Sequence, residues 1–94
     1  FYFFYAERTP QKKGLDIFET RVARSKNLLA WEYSSKPVLT PSSDEKNCNS
    51  DIAFLDLGSA VLIYYANADQ VNFSELKQAI FTGTYKQFLE GFFN

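Results

Sequence analysis

Side chains that commonly do chemistry are scarce: the 94-residue sequence has no histidine and a single cysteine, Cys48. Without histidine there is no imidazole general base, no Ser–His or Cys–His nucleophile pair and no His-bearing zinc site. One cysteine cannot close an intrachain disulfide, which excludes a disulfide-stapled scaffold. Cys48 lies in the polar run Ser42-Ser43-Asp44-Glu45-Lys46-Asn47-Cys48-Asn49-Ser50. An exposed, inert thiol is expected there, because no histidine or basic neighbour is placed to lower its pKa. The glycines, at 14, 58, 83 and 91, stand too far apart to write GxGxxG or GxxxxGK[ST], so phosphate loops of those kinds are out.

Carboxylates are the remaining chemical resource. Asp16 with Glu19, Asp44 with Glu45, and Asp51 with Asp56 could each supply an acid and a base or grip a hard cation. Asp56 is the most interesting of them, since it sits among apolar neighbours just before a turn. Its plainer role is to stabilise that turn or face solvent. Glu75-Leu76-Lys77 has the spacing of an ExK nuclease element but falls where a helix is expected, so it is set aside. No catalytic residue, cofactor site or metal site is assigned.

Aromatic residues are plentiful, with ten Phe, six Tyr and one Trp. A platform for stacking bases wants aromatics interleaved with Lys or Arg, yet Trp31 and Tyr33 flank Glu32. Ten Lys and Arg oppose eleven Asp and Glu, a net charge of −1. Lys12, Lys13, Arg21, Arg24 and Lys26 are scattered among acids, and nucleic-acid binding, which needs clustered cationic surface, is disfavoured.

The elements that must position these residues follow from periodicity. Residues 1–6 read as a strand, from five consecutive aromatics of high β propensity. The 15–24 segment fits a helical stripe through Leu15, Phe18 and Val22 but is read as a strand, because Ile17, Phe18, Thr20 and Val22 favour one. Ser25-Lys26-Asn27 makes a turn. Leu29, Trp31 and Tyr33 then alternate with Leu28, Ala30 and Glu32 as a half-buried strand. Residues 34–50 are read as a long polar loop. Ile52–Leu57 and Ala60–Ala66, joined by Gly58-Ser59, form a hairpin with a type II′ turn.

Asn72 and Glu75 have capping-box spacing, and Val71 with Leu76 stand at staple positions, so a helix is expected over 73–82. Thr84 and Gln87 repeat that spacing for a second helix over 85–93, the alternative being one kinked helix. The sequon Asn72-Phe73-Ser74 is assigned to the first cap rather than to a glycan. No apolar run reaches the ~18 residues of a membrane span.

Together these give one α+β domain over 1–94, or a processed segment of a longer protein. Its expected architecture is an antiparallel meander of four or five strands with C-terminal helices packed on one face. The strands 1–5 and 61–65 are apolar on both faces, while the helices can cover only one. The uncovered face is therefore expected to meet another protein or a second copy of the chain, with Phe1, Phe3, Tyr5, Trp31, Tyr33, Tyr64 and Phe92 as anchors. That describes a non-catalytic interaction module of inhibitor, immunity or assembly-subunit type. The alternatives are a carrier enclosing a small apolar ligand between sheet and helices, and a carboxylate-dependent hydrolase or nuclease. Cytoplasmic residence and no membrane insertion are expected.

Overall fold

The computed structural model describes residues 1–10 and 16–93. Lys12, Lys13, Gly14 and Leu15, which entered the readings of the basic residues, of the glycine spacing and of the 15–24 segment, lie outside the described residues.

The aromatic run opens β1, Tyr2–Thr9, which pairs antiparallel with β2, Ile17–Arg24, from Tyr2↔Arg24 to Thr9↔Ile17. On the other edge of β2 lies the short β3, Glu32–Tyr33. A second unit, β4 (Cys48–Asp56), β5 (Ala60–Ala68) and β6 (Ser74–Thr82), is an antiparallel meander. The two units join through one parallel bridge, Phe18↔Cys48, where the Phe18 N–H donates to the Asn47 carbonyl at 2.8 Å. The sheet is six-stranded, in the order β1-β2-β4-β5-β6 with β3 beside β2. Helix α1, Tyr85–Glu90, and a 3₁₀ turn, Gly91–Phe93, follow.

The α+β class holds, but the expected four- or five-stranded antiparallel meander with several helices is corrected to a mixed six-stranded sheet with one short helix. Parallel strands need a long crossover, and residues 25–47, including β3, provide it.

The largest correction falls on 73–82, which is strand rather than helix. Asp69 Oδ1 accepts the N–H groups of Val71, Asn72 and Phe73 at 2.9, 3.0 and 3.0 Å, closing a turn in which Gln70 has φ 68°. The chain then pairs with β5 without interruption from Ala68↔Ser74 to Ala60↔Thr82. Asn72 caps no helix. A full ladder along β5 outweighs the helix propensity of Glu-Leu-Lys-Gln-Ala. Within 85–93 the capping box is present as expected, Gln87 N–H donating to Thr84 Oγ1 and Thr84 N–H to Gln87 Oε1.

Two further expectations change. The strand over 28–33 shrinks to β3, because Ser25 Oγ accepts from the Asn27 and Leu28 N–H groups while Asn27 Oδ1 accepts from Leu29 and Ala30. That wraps 25–30 into a turn with Leu28 at φ 66°. The 34–50 loop ends early, at Cys48, where β4 starts. Flanked by Phe18 on one side and Ala68 on the other, Cys48 is buried at 1 % exposure rather than exposed. The loop itself is pinned: Val38 N–H donates to the Thr20 carbonyl at 2.7 Å, and Ser35 N–H to Phe92 at 2.9 Å.

The β4–β5 turn is as expected. Gly58 has φ 87° while Ser59 stays outside the left-handed region, the φ pattern of a type II′ turn. Leu57 N–H closes it onto the Ala60 carbonyl at 2.9 Å.

Val61 and Ile63 of β5 and Phe88 and Leu89 of α1 form the buried core. Around Phe88 stand the rings of Phe92, Phe54, Phe81 and Tyr85, with centroids 5.1, 5.4, 5.4 and 6.3 Å away. α1 covers only one side of the meander. On the other side Leu55, Leu62 and Ile80 stand in one cross-strand row, and Leu55 and Ile80 are 50 % and 63 % exposed. The folded chain exposes 6326 Å², above the roughly 5,500 Å² that area scaling gives for its mass.

Candidate functional site

Alternation along β1 sends Phe3 and Tyr5 to the side opposite Phe4, which turns inward to the core. Phe3 pairs with Ala23 and Ala23 with Tyr33, so the two aromatics flank a small residue that leaves room between them. The Ser25–Ala30 turn brings Trp31 to the same place. The rings of Phe3 and Tyr5 stack at 6.0 Å with 15° between planes, Trp31 meets Phe3 edge-on at 6.3 Å, and Tyr33 meets Tyr5 edge-on at 6.4 Å. With Ala23 they line an open groove of about 530 Å³. Phe3 is 59 % exposed and Tyr33 68 %.

The groove has a charged margin. Glu7 and Glu19 oppose each other across the β1–β2 ladder, an unfavourable pairing, and Arg21 sits between them in ion pairs with both. Partial burial raises the pKa of the Tyr5 hydroxyl, and the neighbouring Glu7 carboxylate adds to it. On the opposite face of the sheet, beside the depression lined by Phe1 and Tyr2, Arg24 clasps Glu32 through Nε and Nη2 at 3.0 and 3.2 Å, fixing β3 beside β2. The Arg24 guanidinium also lies 4.1 Å from the centre of the Phe93 ring.

Of the residues expected at an interface, the structure gathers Phe3, Tyr5, Trp31 and Tyr33. Phe1, 66 % exposed, lines an adjoining depression with Tyr2, Arg24 and Trp31. Phe92 is placed elsewhere, edge-on to Phe88 under the helix, with Lys36 Nζ 6.0 Å from its ring centre. Tyr64 is also elsewhere, half-buried on β5 between Ala53 and Gln78.

Of the acidic pairs, Asp44 and Glu45 meet at the Ser42 hydroxyl, 2.6 and 3.2 Å from it, while Asp16, Glu19 and Asp56 are engaged separately. Asp16 binds Arg8 at 2.6 Å, and Glu19 accepts from Thr9 Oγ1 at 2.9 Å. Asp56 takes its plainer role, accepting the Gly58 N–H at 2.8 Å to brace the hairpin turn. Glu75-Leu76-Lys77 does lie on a strand, so the reason for setting it aside lapses. Even so, no three residues among His, Cys, Asp and Glu are grouped to hold a metal, among the described residues.

A polar network that sequence reading missed anchors the 42–47 segment to β5. Buried Asn67 accepts the Lys46 N–H at 2.9 Å and donates through Nδ2 to the Lys46 and Cys48 carbonyls and to Asn49 Oδ1. Glu45 accepts from Ser42, from Asn49 and from the Tyr65 hydroxyl. Burial pushes the Glu45 carboxyl up, but these bonds outweigh it and hold the pKa below the ordinary value. An asparagine in an otherwise apolar strand was the available signal.

The arrangement offers flat aromatic faces and apolar edges with the Glu7–Arg21–Glu19 charges beside them. Among the described residues no helix is long and apolar enough to cross a membrane. No protein-family model, curated protein or solved structure matches this chain.

Proposed function

We propose that the chain is a non-catalytic protein-binding module whose recognition surface is the groove formed by Phe3, Tyr5, Trp31 and Tyr33. The supporting observation is that four large aromatic side chains from β1, β3 and the preceding turn are assembled outside the core, stacked and edge-to-face, with Phe3 and Tyr33 more than half exposed. Trp and Tyr are the residues that most often dominate binding energy at protein interfaces, because they bury much area at little rotamer cost. The Glu7–Arg21–Glu19 group, on the same face as Tyr5, gives the rim fixed charges that select among partners. A carrier role draws less support, since Phe88 and its neighbours pack the space between helix and sheet. A hydrolytic role draws less too, since the acids that do meet, Asp44 with Glu45 and Glu7 with Glu19, are held by Ser42 and Arg21.

The test is retention of a partner from the native source on immobilised chain, compared with a Trp31→Ala/Tyr33→Ala variant whose circular dichroism is unchanged. The reading expects a partner that the native chain holds and the variant loses by at least about tenfold. Equal retention by both proteins would remove the groove from consideration.

A further inference from the structure

The opposite end of the sheet presents a separate feature. β6 is an edge strand: among the described residues it pairs with β5 alone. The Gly83 N–H donates to the Ser59 carbonyl and the Asp69 N–H to Phe73, which fixes the phase of the ladder. Odd-numbered residues of β6 therefore bond to β5, and Ser74, Leu76, Gln78, Ile80 and Thr82 aim their N–H and C=O groups outward.

Protein edges are normally blunted by proline, a bulge, charge or shortness. β6 has none of these on its outward residues. It runs nine residues in unbroken register, and its outward set is uncharged. Leu76 and Ile80 are 74 % and 63 % exposed. The only charges in β6, Glu75 and Lys77, belong to the residues that bond to β5.

We infer that β6 pairs antiparallel with β6 of a second copy of this chain, about a two-fold axis at Gln78. The register follows from the sequence of the strand. Centring on Gln78 overlaps all nine residues, Ser74 opposite Thr82 and Leu76 opposite Ile80 of the other copy, giving about ten inter-chain hydrogen bonds. Centring one residue earlier would set Lys77 against its own copy and shorten the overlap. In the Gln78 register Lys77 faces Ala79 and Glu75 faces Phe81, so no charge meets its like. The uncovered apolar row then continues across the junction: Leu55, Leu62 and Ile80 of one chain lead to Leu76 of the other. Such isologous pairing closes as a dimer with one twelve-stranded sheet, and leaves the Phe3–Tyr33 groove of each copy free.

The experiment uses the full chain, with light scattering over a concentration series and oxidative cross-linking of a Gln78→Cys variant. Directly opposed antiparallel residues lie close to disulfide distance, and the native Cys48 is buried. The inference expects twice the chain mass, a cross-linked Gln78→Cys dimer, and no cross-link from Glu75→Cys, which does not face itself. Leu76→Lys/Ile80→Lys, changes at exposed positions, should raise the dimer dissociation constant at least about tenfold with circular dichroism unchanged. A monomer at millimolar concentration overturns the inference. So does a dimer that survives both lysines, which would place the junction on another surface such as the β1 edge. Trp31→Ala/Tyr33→Ala leaves this dimer intact, so failure of the groove and failure of the β6 junction are separately visible.

Discussion

The rings of Phe4 and Phe54 lie 4.8 Å apart, centre to centre, although β2 stands between their strands in the sheet. The sheet must curl for them to meet, and the single Phe18↔Cys48 bridge between the two units permits it. Curling is what turns Phe4 inward and leaves Phe3 and Tyr5 outside.

This gives a first prediction about the core. Phe88 is 4 % exposed and touches four aromatic rings. Phe88→Ala should cost about 3–5 kcal/mol, against a total stability of roughly 5–14 kcal/mol for a chain of this size. Phe4→Ala removes a half-buried ring and should cost less, about 1–3 kcal/mol. Urea unfolding of the two variants checks both the size and the order.

Glycine positions give a second, three-way prediction. Gly83 has φ 143°, and an added Cβ would stand 2.7 Å from Phe81 Cε2 and 2.8 Å from Gln87 Oε1, the capping-box acceptor. Gly83→Ala should destabilise by about 2 kcal/mol, through backbone strain and loss of the cap. Gly58→Ala meets no atom within 4 Å but needs φ 87°, for about 1 kcal/mol. Gly91→Ala, in the right-handed region with open space, should be neutral or stabilising by a few tenths of a kcal/mol. Melting temperatures should rank Gly91→Ala, Gly58→Ala, Gly83→Ala in falling order.

The Asn67 network gives a third. Asn67→Ala leaves the Lys46 N–H, the Lys46 and Cys48 carbonyls and Asn49 Oδ1 without that partner. A loss of about 2–4 kcal/mol is expected, typical of buried polar groups left unpaired. Amide exchange at Lys46 should speed up more than exchange in β1, since the 42–47 segment is what the side chain holds.

Acid should act at Glu45 and Asp69. The Glu45 pKa lies below its ordinary 4.5, and Asp69, bonded by the Val71, Phe73 and Asn72 amides, lies below its ordinary 3.8. Each lowered value means the folded state holds the proton less tightly than the unfolded one. Their stabilisation is therefore complete above those ordinary values and is lost as pH falls through the folded-state values. Glu45→Gln should flatten the fall in stability between about pH 5 and pH 2 in a denaturant series; an unchanged slope contradicts the role given to Glu45.

How far the sequence led is best seen in particular elements. The FYFFY strand, the Gly58-Ser59 turn and the Thr84–Gln87 cap were legible because each is set by local chemistry: aromatic β propensity, a glycine free to take positive φ, and a reciprocal side-chain bond. β6 was not. Its strand alternation is hidden because both faces carry apolar residues, Leu76 and Ile80 on one and Ala79 and Phe81 on the other. Its composition favours helix, and the pairing with β5 that decides the matter is non-local. The aromatic anchors were legible as residue types, but their grouping depends on the Ser25–Ala30 turn and the brevity of β3. Phe92 and Tyr64 share the composition of the others and stand elsewhere.

Trp31 is the chain's one tryptophan, so its fluorescence reports on the groove and the depression beside it. The most direct measurement is acrylamide quenching of that emission, with and without a partner retained by the native chain. A groove that binds protein predicts a blue-shifted emission and a quenching constant lowered severalfold in the complex. A complex in which the emission maximum and the quenching constant match those of the free chain contradicts it.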